Sequence, residues 1–288
     1  MNPSINNILS GTARIPTERI MKPITPVNEI TEDLCKNLLY LFTDIDDTIT
    51  TAGKLPSSTF EAIWKLHDAG IKIVPVTGRP AGWCDHIARM WPVAGVVGEN
   101  GAFYFSYDPQ QRKVIRKYLQ SADERKQGRD RLNKIKERVL EEVPNAGIAS
   151  DQDFRIADLA IDFCEDVTPL SKDEMDKICS ILDEEKAVYK ISSIHINCWY
   201  GDYDKLTCFR MLLKDFTGKE LEALQDKIIF AGDSQNDEPM FKALKHTIAV
   251  ANIKKFLPIM KHYPAYVTEK NDAEGFYEAS QIILAKRK

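Results

Sequence analysis

Leu38-Leu39-Tyr40-Leu41-Phe42-Thr43-Asp44-Ile45-Asp46-Asp47-Thr48 decides the fold. Five consecutive apolar or aromatic residues have the length and composition of a strand buried in a parallel sheet, and the run stops at three carboxylates and Thr48. Residues two apart on an extended chain point the same way. Asp44 and Asp46 are therefore expected to share one face at the carboxyl end of the strand, where open α/β sheets bind ligands. Carboxylates held that close repel unless a cation or a shared proton relieves them. Taken alone, the stretch also reads as an acidic turn whose aspartates cap the next element.

The pattern continues outward on both sides. Pro56-Ser57-Ser58 opens a helix with Phe60, Ile63, Trp64 and Leu66 as its apolar positions, ending at Ala69-Gly70. Ile71 to Val76 reads as a second buried strand, ending in Thr77-Gly78-Arg79-Pro80; a helix over Ala81 to Met90 and a strand over Val93 to Val97 follow. Strand, helix, strand, helix, strand with short loops predicts an α/β fold with a doubly wound, Rossmann-like parallel sheet.

After Glu99-Asn100-Gly101 the rhythm changes. Ala102 to Tyr107 and Lys113 to Tyr118 read as a hairpin, and Ser121-x-x-Glu124 and Ser171-x-x-Glu174 are capping boxes for two helices. Short strands are expected at Phe154 to Ile156, Leu159 to Phe163, Ala187 to Ile191 and His195 to Trp199. This predicts an α+β module inserted into the first domain.

The first rhythm then resumes. A helix runs from Asp204 to Asp215, a strand over Lys227 to Ala231 ends in Gly232-Asp233-Ser234-Gln235-Asn236-Asp237, and further elements reach Ala285, including a helix over Lys254 to Lys261. The expected organisation is an N-terminal arm over 1–37 with one helical turn near Glu29 to Lys36, a discontinuous core over 38–102 and 199–288, and an inserted module over 103–198.

The 288 residues suffice for two ordinary domains, and a net charge of -4 provides no basic field for nucleic acid. No apolar run approaches the ~20 residues of a membrane span. The six cysteines are scattered without a C-x-x-C pair, which points to reduced thiols in a cytoplasm.

Four polar clusters lie at strand ends or a helix start: Asp44 with Asp46, Thr77-Gly78, Lys205, and Asp233 with Asp237. Each alone has a plain reading as a turn, a cap or a solvated residue. Together they supply acids for a hard cation, a hydroxyl and a backbone N–H for phosphate oxygens, and an ammonium for their charge.

In this order the motifs resemble those of the haloacid dehalogenase superfamily of phosphohydrolases. Asp44-x-Asp46-x-Thr48 is similar to its first motif, Thr77-Gly78-Arg79 to its second, Lys205 to its third and Gly232-Asp233-Ser234-x-x-Asp237 to its fourth. The position of the insertion resembles a type IIB cap, as in the Cof-like sugar phosphatases, the sucrose-, trehalose- and mannosyl-phosphoglycerate phosphatases, and phosphomannomutase. Asp47 stands where many members carry Gly, and the stretch before Lys205 departs from the Lys-Gly pairing common in the subgroup.

The resemblance implies a Mg²⁺-dependent phosphatase of a small phosphorylated metabolite, a sugar phosphate by preference; charge and hydropathy point to neither nucleic acid nor membrane as partner. It implies that Asp44 is the nucleophile and forms an aspartyl-phosphate. Asp46 is implied as general acid and base, and as a metal ligand through its carbonyl. Asp44, Asp233 and Asp237 are the implied metal carboxylates, Lys205 neutralises charge, Thr77 and Gly78 hold phosphate oxygens, and Asn236 is a further donor. A phosphomutase of the same fold and a non-catalytic phosphometabolite-binding protein are the alternatives.

Further candidates flank these. Glu99 and Asn100 follow a core strand and are read either as orienting Lys205 or substrate, or as a structural turn. His195, Asn197 and Trp199 alternate on one strand face, as sugar contacts or as a satisfied half-buried face. Arg79 is read as capping the next helix, with phosphate contact as the alternative.

Overall fold

The computed structural model describes residues 24–192 and 194–288. In chain order it contains β1 (Thr25–Pro26), α1 (Glu32–Asn37), β2 (Tyr40–Thr43), α2 (Ser57–Asp68), β3 (Lys72–Pro75), α3 (Ala81–Met90) and β4 (Val96–Gly98). There follow β5 (Phe103–Asp108), β6 (Lys113–Tyr118), α4 (Ala122–Glu142), β7 (Gly147–Ile148), β8 (Asp158–Asp162), α5 (Lys172–Glu184), β9 (Val188–Ile191) and β10 (His195–Trp199). The chain closes with α6 (Lys205–Thr217), β11 (Ile228–Gly232), α7 (Glu238–Ala243), β12 (Thr247–Ala249), β13 (Tyr266–Val267) and α8 (Asp272–Arg287).

The central sheet has the order β1-β13-β12-β11-β2-β3, and every pair in it is parallel. Its middle strands explain the continuous apolar run. Leu41 and Ile229 face one cluster with Leu34 of α1, Ile63 of α2 and Ile283 of α8, while Tyr40, Phe42 and Phe230 face another with Phe209 and Leu212 of α6 and Met240 of α7. Both faces are covered, so no position on β2 can be polar without cost, and each buried Leu or Phe contributes roughly 1.5–3 kcal/mol.

The second sheet, β7-β8-β10-β9, is antiparallel. One face carries Leu159, Ile161, Ile196 and Cys198 and packs on Leu132 and Ile135 of α4 and Ile178 and Ile181 of α5. Residues directly opposite in an antiparallel pair share a face. The other face therefore carries Asp158 with Trp199, Asp162 with His195, and Ala160 with Asn197 and Lys190. The fold is α/β with an inserted α+β cap, as expected.

Several local expectations are revised. The segment 24–37, read as part of an arm, is built into the core: β1 pairs with β13, α1 packs on α8, and Val27, Ile30, Leu34 and Cys35 are buried. The expected helical turn is α1, capped by Thr31, and the rest of the arm lies outside the described residues. The hairpin β5-β6 forms but pairs with β4, and its Phe103 and Phe105 join the core cluster of Leu41. The strand expected at Phe154 to Ile156 is replaced by a 3-10 turn, Gln152–Phe154: the Phe154 and Arg155 N–H groups close on the Asp151 and Gln152 carbonyls, and a carboxylate takes that of Ile156. The helix expected over Lys254 to Lys261 is two 3-10 turns, Ala251–Lys255 and Leu257–Ile259, with Pro258 lacking the N–H a continuous helix requires.

Candidate active site

Parallel pairing of β2 with β11 brings two of the predicted acids together. Thr43 lies opposite Ala231, and the Asp44 N–H still donates to the Ala231 carbonyl at 2.9 Å, so Asp44 and Asp233 leave neighbouring strands at the same edge. Asp237 reaches back from the turn after β11, its Oδ2 accepting the Asp233 N–H at 3.0 Å. Gly232 permits this approach, since a Cβ there would stand 2.4 Å from that same Asp237 oxygen.

Lys205, the first residue of α6, completes the group. Its Nζ donates to Asp44 Oδ2 at 2.9 Å and to Asp237 Oδ1 at 3.3 Å, and all three residues are buried. The helix start is set by Asp204, whose side chain caps the Thr207 N–H. The chain passes Gly101 on its way in: with φ at +107° and a would-be Cβ 2.1 Å from the Asp204 carbonyl oxygen, only glycine fits that crossing.

Asp44, Asp233 and Asp237 each offer a carboxylate oxygen, and these lie within 4.8 Å of one another. Three carboxylates against one ammonium leave two negative charges uncompensated in a buried site. Burial first, with Asp237 and Asp46 adding to it, pushes Asp44 up to about 7 against the opposing pull of Lys205. Burial and the neighbouring Asp237 and Asp44 likewise raise Asp233 well above its ordinary value. Burial works against the Lys205 charge, but Asp44 and Asp237 outweigh it and raise its pKa. Hard oxygen donors, excess negative charge and a separation one ion can span fit a small divalent cation such as Mg²⁺.

Asp46 stands apart from this group. The strand ends at Thr43 and the chain turns immediately, the Ile45 carbonyl accepting the N–H groups of Thr48, Ile49 and Thr50, so Asp46 does not continue the Asp44 face. Its carboxylate, 36% exposed, is gripped by Arg79 through Nε at 3.1 Å and Nη2 at 2.7 Å. Arg79 therefore neither caps α3, which begins after Pro80 without a side-chain cap, nor stands free for phosphate; its guanidinium also stacks 4.5 Å from the Trp83 ring. Asp47 adopts the left-handed backbone (φ +55°) that a Gly would take more easily, and the Asn252 side chain holds its carbonyl at 3.0 Å.

Thr77 and Gly78 lie at the end of β3, with Thr77 buried and its Oγ1 accepting the Arg79 N–H at 3.0 Å. The buried Asn100 amide presses on Gly78, at 3.3 Å from a would-be Cβ, and its Nδ2 has no partner among the described residues. Asn236 is half-buried, its Oδ1 accepting from Ser234 at 3.1 Å.

Glu99 does not reach Lys205. Its carboxylate accepts the N–H groups of Ala81, Ile156, Ala157 and Asp158, at 2.6–3.2 Å, and so fastens the cap's 156–158 segment to the start of α3. Burial and Asp158 raise its pKa, opposed by Arg155 and these N–H groups. A second tie runs through Arg155, which donates to the Gly78 carbonyl at 3.0 Å and pairs with Asp151 and Asp158.

The predicted strand-face residues are all buried. His195 lies 2.9 Å from Glu165, Asn197 donates to Asp158 at 3.2 Å, and Trp199 stacks on Tyr203 in the core cluster. Burial and Arg155 lower the His195 pKa. Arg155, Asn252 and Lys190 were missed in the sequence. Only Asn252 carried a signal there, its place just past a strand end, where it donates to Asp233 at 3.2 Å.

The haloacid dehalogenase-like hydrolase family matches residues 41–140 and 150–279. A phosphoglycolate phosphatase of Methanobrevibacter smithii is 28% identical over 254 residues, covering 86% of this chain and 99% of its own. Among solved structures, protein 0175 of Thermoplasma acidophilum superposes with a TM-score of 0.66 at 17% identity, covering 85% of this chain and 98% of its own. The subclass IIB sugar phosphatase BT4131 superposes with a TM-score of 0.58 at 18% identity, covering 84% and 98%.

Proposed function

The chain belongs to the haloacid dehalogenase-like hydrolases, and we propose that it is a Mg²⁺-dependent phosphatase that cleaves small phosphomonoesters through an aspartyl-phosphate on Asp44. The observation that carries this reading is the meeting of Asp44, Asp233 and Asp237 with Lys205 at the edge of β2 and β11.

Held by Asp44, Asp233 and Asp237, Mg²⁺ would neutralise the charge between an anionic nucleophile and an anionic phosphate. Lys205 favours the ionised form of Asp44, against burial. The Ile45 N–H fixes its Oδ1 at 2.8 Å, so the nucleophile is oriented before substrate arrives. Thr77 and the Gly78 N–H hold phosphate oxygens, and Asn100 Nδ2 offers a further buried donor beside them. Asp46 protonates the leaving alkoxide and then takes a proton from the water that hydrolyses the phospho-enzyme. Arg79 positions Asp46 and must yield as that proton moves.

The substrate is a small phosphorylated metabolite closed in by the cap. A sugar phosphate is the first reading, supported by the inserted cap and by likeness to the subclass IIB sugar phosphatase BT4131. A phosphorylated hydroxy acid is the second reading, favoured by the likeness to a phosphoglycolate phosphatase and by Lys190 of the cap, which has no bonded partner among the described residues. The scattered cysteines support a cytoplasmic setting.

The test is phosphate release from phosphoglycolate and hexose phosphates with Mg²⁺ present. The wild-type protein is expected to turn over at least one of them, chelation to stop it, and Asp44→Asn to reduce it to background while Mg²⁺ binding persists. Chelator-insensitive turnover, or an Asp44→Asn protein as active as wild type, overturns the reading.

A further inference from the structure

The cations around the site are almost all spoken for. Arg79 is held by Asp46, Arg155 by Asp158 and Asp151, and Lys205 by Asp44 and Asp237. The acids on the cap face are equally occupied: Asp158 by Arg155 and Asn197, and Asp162 by the N–H groups of Cys164, Glu165 and Asp166. On the cap face, Lys190 is held by no such partner among the described residues. It is half-buried on β9, and among the described residues no carboxylate, carbonyl or hydroxyl is bonded to it.

Its direction follows from the strand register. Lys190 lies opposite Asn197, which lies opposite Ala160, so its side chain leaves the sheet on the side of Asp158, His195 and Trp199. That side faces the core, because Arg155 ties Asp158 to the Gly78 carbonyl and Trp199 is buried in the core cluster. The opposite side is sealed against α4 and α5. Burial and Lys205 lower the Lys190 pKa, while Asp204, which caps α6, and Asp237 and Asp44 of the acid cluster raise it.

We propose that Lys190 binds a second anionic group of the substrate, a carboxylate, on the side of the molecule away from the scissile phosphate. This rests on the phosphatase reading above and adds to it a residue that selects phosphorylated hydroxy acids over neutral phosphomonoesters. A half-buried ammonium has lost part of its hydration without gaining a partner, and an arriving carboxylate supplies that partner. The flexible four-carbon stem suits a point contact with one oxygen rather than a two-pronged grip. The attraction is absent for a substrate ending in a hydroxyl or a methyl group.

The experiment uses two probes of similar size, phosphoglycolate and ethyl phosphate, with Mg²⁺ present. Each is titrated calorimetrically into the Asp44→Asn protein with and without Lys190→Gln, and phosphate release is measured in parallel on proteins with Asp44 intact. Removing the ammonium is expected to weaken phosphoglycolate binding by about 10- to 100-fold, the range for one hydrogen bond to a charged group, and ethyl phosphate binding by less than about 3-fold. The ethyl phosphate arm also reports that the variant is folded. An unchanged preference between the two probes overturns the proposal, even where turnover is brisk. Lys190-dependent binding without phosphate release from any probe supports the proposal and overturns the phosphatase reading instead.

Discussion

Glu99→Gln tests the joint between the cap and the core. In the native chain Oε1 accepts from Ala81 at 3.0 Å and from Ile156 at 3.0 Å, while Oε2 accepts from Ile156 at 3.2 Å, Ala157 at 2.6 Å and Asp158 at 3.1 Å. Every neighbour is a donor, so glutamine has no satisfactory orientation. With its NH₂ in the Oε1 place the Ala81 N–H is orphaned; in the Oε2 place, those of Ala157 and Asp158 are. One orphaned buried donor costs about 1–3 kcal/mol, and the remaining bonds lose the strength that a charged acceptor lends them. Against this, the variant removes a buried charge beside Asp158, a relief that keeps the net loss near the lower half of that range. The backbone also bears on the outcome: Glu99 and Asn100 both sit at positive φ (+43° and +56°), strain that these bonds offset. The assay is native-state hydrogen exchange at Ile156, Ala157 and Asp158, expected to quicken about 10-fold for each 1.4 kcal/mol lost, together with a thermal melt. A Glu99→Gln protein with unchanged exchange at those three amides would refute the reasoning.

Two other perturbations probe different links. Adding Mg²⁺ to metal-free protein should raise the melting temperature on the order of 5–10 °C at 100-fold excess over Kd, since about 2.7 kcal/mol of binding is then linked to folding. Asp233→Asn should abolish most of that shift, and an equal shift in the variant would disprove the three-acid site. Glu238 accepts the N–H groups of Lys261 and His262 and lies 3.0 Å from His262 Nδ1; burial raises its pKa, but these bonds outweigh it and hold it below 4.5. A depressed carboxylate pKa means a contribution to stability that is complete above the unfolded value and lost as pH falls through the folded one. The melting gap between wild type and Glu238→Gln should therefore be about 2–4 °C per kcal/mol lost at pH 7 and should narrow as pH falls below 4.5 through the folded pKa; a gap that widens with acidification would contradict that assignment.

The four motifs were legible because each lies at a strand end or a helix start, and parallel β-strands deliver their carboxyl ends to one edge. Knowing that Tyr40–Thr43 and Ile228–Gly232 are strands almost places Asp44 beside Asp233. Lys205 was the least evident of the set because α6 begins outside the sheet, and the crossing at Gly101 brings it in. The expectation that Asp46 continues the Asp44 face rests on period-two alternation, which holds only while the chain is extended, and the chain turns after Thr43. Arg79 was misjudged because a guanidinium follows its partner, and its partner lies 33 residues away.

The strands, the acids they carry and the family they resemble could all be derived from local pattern, since apolar periodicity and strand-end chemistry are written in consecutive residues. The joint at Glu99, the pairing of Arg155 with Gly78 and Asp158, and the place of Lys190, which has no bonded partner among the described residues, came only with the folded chain. Whether a charged side chain is satisfied depends on what lies opposite it across two elements, and nothing in the order of residues along the chain specifies that distance.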